Sequence, residues 1–429
     1  MKINYLLIMI LSTFSLFASC NEAPVESTDQ DQQEKELMAK DILGNPDYQA
    51  ISYGGYRQKS RDVQPTVAQI KEDMKILAAM NIKVLRTYNT KLAHATTVLK
   101  AIRELKAEDA NFEMYVMLGA WIDCKDAWTA NPNHDEEDEQ ANAAEIERAV
   151  KMAKEYPDIV KIIAVGNEAM VKWAASYFVQ PGVILKWVNH LQDLKAAGEL
   201  SKDLWITSSD NFASWGGGGP EYHVEDLEKL IRAVDYVSLH TYPMHDTHYN
   251  PTFWGIDQEE AGLSNVEKID LAMLRAKAYA VSQYESTAAY IKRFDEDKPI
   301  HIGETGWASF SNGHYGAQGS KATDEYKEAL YYKLMREWTN ANRISCFYFE
   351  AFDEIWKDAQ NPGGSENHFG LFTINGKAKY AIWDLVDQGA FEGLSRDGNA
   401  IMKTYEGDKD ALLIDVQLPP VKENLNMPQ

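Results

Sequence analysis

Short apolar runs alternate with amphipathic stretches along most of this chain. The runs lie at 51–53, 82–88, 114–118, 160–165, 204–207, 234–239, 299–303 and 344–349. They are mostly apolar rather than strictly alternating, the pattern of parallel strands covered on both faces. Between them apolar residues recur at helical spacing. Pro65-Thr66 opens one such segment, Gln69 completes a capping box, and Ile70, Met74 and Leu77 make a single stripe. Similar stripes lie near 95–107, 143–155, 183–197, 223–233, 266–293 and 322–341. Eight strand–helix units predict a parallel sheet with crossover helices, closed into one α/β domain, a (β/α)₈ TIM barrel. An open doubly wound sheet is the architectural rival, but no glycine-rich nucleotide loop follows the first run.

Both ends depart from this pattern. One Lys precedes an apolar run over residues 5–18, too short to span a bilayer and suited to a signal h-region. It ends Leu16-Phe17-Ala18-Ser19-Cys20, which resembles a bacterial lipobox with Phe17 in place of a smaller aliphatic. Residues 1–19 therefore read as a lipoprotein signal peptide, with Cys20 as the lipidation site. The polar, acidic residues 20–44 read as a flexible tether. The barrel is expected over 45–415 and a C-terminal tail over 416–429. This organisation predicts export and lipid anchoring to the cell envelope, on either face of an outer membrane. Of the remaining cysteines, Cys346 falls inside a run and Cys124 just beyond a distant one, so both are expected unpaired.

The formal charge is −22. A surface so acidic repels nucleic acid and anionic lipid, and no basic patch offsets it. A neutral partner such as an uncharged glycan escapes that repulsion, although acidity also serves solubility alone. A monomer is expected, meeting membrane only through its N-terminal lipid.

In such a barrel, chemistry sits where strands end. The first run ends Tyr53-Gly54-Gly55-Tyr56-Arg57 and the second Leu85-Arg86-Thr87-Tyr88. The fourth ends Val165-Gly166-Asn167-Glu168, the sixth His240-Thr241-Tyr242-Pro243 and the seventh Gly303-Glu304-Thr305-Gly306-Trp307. Either Glu alone is what a charged rim displays. Glu168 and Glu304 together face each other across the mouth, as a glycosidase requires: one protonated to assist the leaving oxygen, one ionised to attack carbon. Asn167 can meet a substrate hydroxyl. Arg86 and Tyr242 are placed to orient Glu304.

These residues carry a resemblance. Val165-Gly166-Asn167-Glu168, Glu304-Thr305-Gly306-Trp307 and the stretch Phe349-Glu350-Ala351-Phe352-Asp353-Glu354 with Trp356-Lys357, Glu366 and Phe369-Gly370-Leu371-Phe372 resemble glycoside hydrolase family 17, over most of residues 48–385. Ala308 stands where that family usually has Pro. The resemblance implies a retaining, endo-acting β-1,3-glucanase of the laminarinase type. It implies Glu168 as acid/base, Glu304 as nucleophile, and Glu354, Lys357 and Glu366 as a supporting charged group. Lys357 is expected to lower the nucleophile's pKa. No cofactor or metal is implied.

Sugar rings stack on aromatic faces. Tyr56, Tyr88, Trp121, Trp307 and Trp356 are the leading candidates, Trp307 first. Trp173, Trp215, Tyr242, Trp254 and Tyr315 are further ones, each equally at home in a core. His240 is expected to donate to a substrate hydroxyl. Metal-ligand spacing among His240, His245, Asp246 and His248 is conceivable. Other readings remain open: a β-1,3-glucanosyltransferase sharing the same intermediate, a non-catalytic glycan-binding lipoprotein, and specificity for a β-1,4-linked glucan or mannan.

Overall fold

The computed structural model describes residues 37–424. Eight parallel strands close in sequence order. They are β1 (Gln49–Ser52), β2 (Ile82–Arg86), β3 (Tyr115–Ala120), β4 (Val160–Asn167), β5 (Trp205–Asn211), β6 (Val237–His240), β7 (Ile300–Gly306) and β8 (Cys346–Phe349). The seam is the pairing of Ala50 with Phe347 and Ile51 with Tyr348. Each expected run contributes one strand, and the fold is a (β/α)₈ barrel. The first helix, Val67–Ala79, begins at the Thr66/Gln69 capping box. The last large helix, Glu325–Ala341, starts three residues later than its apolar stripe because the Asp324 side chain accepts from the Lys327 N–H at 2.9 Å.

Two boundaries differ from expectation. The compact unit begins at Leu37, not at 45. Residues Ala39–Ile42 form one helical turn, with Ala39, Ile42 and Leu43 buried against Ala50, Val84, Met117, Ile162, Ala164, Tyr236 and Phe347. These are inward-facing residues near the strand starts, and the turn closes the barrel floor. The expected C-terminal tail is likewise packed as far as Pro420. Val416 and Leu418 lie against the core, and the Ile256 N–H donates to the Pro420 carbonyl while the Ile256 carbonyl accepts from the Lys422 N–H. Leu37 lies within the segment read as tether, while Cys20 and the signal peptide fall outside the described residues.

A second latch joins the C-terminal region to the first helix. Arg396, fully buried, pairs with Asp73 at 2.9 Å and lies over the Phe352 ring at 4.0 Å. Asp73 also accepts from Arg57 at 3.0 Å and from the Tyr53 hydroxyl at 2.8 Å, so its buried charge is fully engaged. Cys124 and Cys346 are both free and buried. No helix among the described residues is long and apolar enough to cross a membrane.

Ile42→Ala should remove about 2–4 kcal/mol of stability, the cost of a cavity in a packed floor. Urea unfolding measures it; an unchanged midpoint would show that the turn does not brace the barrel.

Candidate active site

The strand ends open onto a cleft of about 1700 Å³. Glu168 follows β4 through a sharp turn, with φ of +79° at Gly166 and +46° at Glu168. A Cβ at Gly166 would meet that of Ala169 at 2.9 Å. The turn is pinned by the Glu168 N–H on the Ser209 carbonyl at 3.0 Å. Glu304 comes from β7 after Gly303, where a Cβ would lie 2.1 Å from Ser238 Oγ and 2.5 Å from Ser209 Oγ. Glycine there lets the strand carry Glu304 past two packed hydroxyls.

Arg86, 1% exposed, holds Glu304 in a buried ion pair and donates to the Gly303 carbonyl at 2.9 Å and to Asn167 Oδ1 at 2.5 Å. The Tyr242 hydroxyl donates to the other Glu304 oxygen at 2.8 Å. Burial pushes Glu304 upward, but Arg86 foremost, then His240 and Tyr242, outweigh it and leave the carboxyl at about 2. Glu168 moves the opposite way. Burial, then repulsion from Glu304 and Asp210, raises it well above the carboxylate range. Glu304 is thus held ionised, while Glu168 is biased toward its protonated form.

His240 sits between them, fully buried. Its Nδ1 is 3.0 Å from Glu168 Oε1 and 3.6 Å from Glu304 Oε2, and its Nε2 is 2.7 Å from Ser209 Oγ. Burial drops its pKa to about 3, so its contact with Glu168 joins two neutral groups and is no ion pair. The Glu168 O–H donates to Nδ1 if Nε2–H donates to Ser209. Both ring nitrogens are then engaged by protein, and His240 positions Glu168 instead of donating to a substrate hydroxyl as expected. One oxygen from each Glu and a ring nitrogen of His240 lie within 4.8 Å of one another, a donor set able to hold a cation. The loop-six residues do not converge: His245 stacks on Tyr242, His248 on His314, and Asp246 accepts from Gln283 and Asn250.

The expected charged group is present but differently aimed. Lys357 donates to Glu350 at 2.5 Å and is 3.6 Å from Glu354, with its ammonium over the Phe349 ring. It is Arg86, not Lys357, that depresses Glu304. Glu354 instead fixes the cleft wall, accepting from the Tyr56 N–H and the Trp356 indole, each at 3.0 Å. Glu366 lies on the rim, 3.8 Å from His245.

Tyr56, Tyr88, Trp121, Trp173, Tyr242, Tyr315 and Trp356 line the cleft. Trp307 does not. Fully buried, it donates to the Ala322 carbonyl and packs on Trp254 and Tyr331. Trp215 and Trp254 are buried in the same way, with indoles on Ser238 and Ser320 carbonyls. Sequence reading missed Asp210, a polar residue closing the fifth run. Burial raises its carboxyl to about 6, and it braces the loop after Glu168 by accepting from the Met170 N–H at 2.7 Å. It also missed Glu350, Trp128 and Tyr177.

The sequence pattern of the BtgE/BtgC glycoside hydrolase domain matches residues 50–370. The chain belongs to this glycoside hydrolase family. Members it resembles include a probable glucan endo-1,3-beta-glucosidase btgC of Aspergillus flavus, 24% identical over 79% of this chain. The chain spans 44% of that relative's length. An endo-laminarinase from Formosa Hel1_33_131 is 72% identical, with a TM-score of 0.89 over 92% of this chain and 100% of that one. A β-1,3-glucanosyltransferase from Rhizomucor miehei, in complex with laminaritriose, shares the fold at 19% identity and a TM-score of 0.53, over 78% of this chain and 96% of that one.

Arg86→Gln should raise the Glu304 carboxyl from its depressed position, because the influence that most opposes burial is then lost, and should cost about 3–5 kcal/mol for breaking a buried pair. The sign for the wild type follows from the depressed value. Glu304 contributes stability above the unfolded glutamate pKa and loses it as pH falls through about 2. Glu168, raised, contributes below the unfolded value and loses its contribution as pH climbs through its folded pKa. Carboxyl ¹³C NMR titration with urea melts across pH reads both. An unmoved Glu304 resonance in Arg86→Gln would refute the assignment of Arg86.

Proposed function

We propose that this protein is a retaining endo-β-1,3-glucanase acting on laminarin-type glucan, with Glu168 as acid/base and Glu304 as nucleophile. The observation that carries this reading is the pair of buried carboxyls at the ends of β4 and β7 with oxygens within 4.8 Å, their pKa values driven in opposite directions by their surroundings. That spacing matches the roughly 5 Å of double displacement and is too short for the water an inverting enzyme holds between carboxyls ~6.5–9.5 Å apart. Glu304 attacks the anomeric carbon while Glu168 protonates the departing glycosidic oxygen. Glu168, now ionised, takes a proton from water, whose oxygen displaces Glu304 and regenerates the β-anomer. Arg86 and Tyr242 hold Glu304 for attack, and the Asn167 amide nitrogen, left free by the Arg86 contact on its oxygen, suits a sugar hydroxyl. The endo-acting relatives and the cleft of about 1700 Å³ support internal cuts on β-1,3 linkages. A neutral polymer suits an enzyme of charge −22, and the same charge favours a monomer.

Laminarin should yield oligosaccharides before glucose, and faster than cellulose, mannan or barley mixed-linkage glucan. Early product by proton NMR should be the β-anomer. Glu304→Gln should lose several orders of magnitude in kcat with binding largely kept, and Glu168→Ala should recover on substrates whose leaving group needs no proton. An initial α-anomer would exclude Glu304 as nucleophile, and chain lengthening at high oligosaccharide would show the glucanosyltransferase instead.

The same reading places the enzyme on the cell envelope through lipid at Cys20, supported by the h-region and the small residues before that cysteine. Cys20→Ala should move the enzyme from the membrane fraction to the soluble one. Wild-type protein already wholly soluble after export would exclude the anchor.

A further inference from the structure

Two tryptophans among the described residues are mostly exposed, Trp128 at 62% and Trp173 at 63%. Both line the cleft, on the loops that follow β3 and β4. Trp128 is held in place despite its exposure. Its φ is +64°, its backbone N–H donates to the Ser176 carbonyl at 2.8 Å, and its indole donates to Asp123 Oδ1 at 3.1 Å. The Trp121 indole donates to the same oxygen at 2.7 Å. Tyr177 packs against both rings, stacked on Trp128 at 4.9 Å and tilted against Trp121 at 5.0 Å. Tyr177 lies on the same loop as Glu168, between the end of β4 and the helix that starts at Pro181.

An aromatic face fixed in advance and left in water has little to do for folding, and it loses little freedom when a sugar settles on it. The opposite wall differs. Trp356, on the loop after β8, already carries the Arg61 guanidinium 4.2 Å over its ring. The two tryptophans left mostly open in the cleft therefore both stand on the side that carries Glu168.

We propose that Trp121, Trp128 and Tyr177 form a platform that binds the leaving half of the glucan, the sugar C–H faces lying on the indole rings. This rests on Glu168 as proton donor. The sugar that departs is the one whose oxygen Glu168 protonates, so it lies against the loops that flank Glu168. Holding that half as well as the attacked one makes the enzyme favour bonds with several sugars on both sides.

The test compares laminarihexaose with laminaribiosyl fluoride. Fluoride leaves as an anion, needs no proton and fills no sugar position on the leaving side. Trp128→Ala should lower the ratio of kcat/KM for hexaose to that for the fluoride by about tenfold, and shift the hexaose cut sites. Trp128→Tyr should restore most of the ratio. Because Trp128 is exposed, its loss should hardly disturb folding, and turnover of the fluoride reports an intact site. A ratio within about twofold of wild type, with the same cut sites, overturns the platform alone. Wild-type enzyme inert on both substrates overturns it together with the functional reading beneath it.

Discussion

The buried pairing of Arg86 with Glu304 is the constraint from which the rest of the site follows. A guanidinium 1% exposed inside a barrel is tolerable only when its charge is answered. Here Glu304, the Gly303 carbonyl and Asn167 answer it. The cation keeps Glu304 ionised in a place where burial alone would protonate it. The resulting negative charge helps to keep Glu168, its neighbour across the mouth, protonated. The opposite shifts of two chemically identical side chains thus follow from Arg86 answering Glu304 while burial dominates at Glu168. Gly303 belongs to the same arrangement, because any side chain there would push β7 away from Ser209 and Ser238 and move Glu304 off its partner.

Much of this was legible in the sequence, for physical reasons. Parallel strands buried on both faces leave apolar runs, and each of the eight was readable. The Thr66/Gln69 box marked a helix start because a cap needs those side chains at that spacing. Residues that must stand at strand ends are tied to runs already found, so Arg86, Asn167, Glu168, Tyr242 and Glu304 could be proposed as neighbours despite their separation along the chain. The structure brings them together.

What was not legible depends on direction or on contacts too brief to leave a period. The floor turn at Ala39–Ile42 is four residues long and follows a polar stretch, so no pattern separated it from the tether. Trp307 stands three residues after Glu304, yet its ring turns toward Tyr331 and the outer helix, and linear distance carries no information about that rotation. Lys357 was placed in the right loop but on the wrong partner, since Glu350 and Glu354 on its own segment reach it first. His240 was in the right place with the wrong task, because Glu168 and Ser209 occupy both its nitrogens. Trp128 sits in a hairpin whose geometry depends on Asp123 and Ser176, a local arrangement with no periodic signature.

The closure of the barrel floor by residues near the start of the described chain has a directional consequence. The polypeptide enters at the strand starts, while the cleft opens where the strands end. The residues that brace the floor and those that line the cleft therefore occupy opposite ends of the same strands, so a change in one group can alter stability without touching the chemistry of the other.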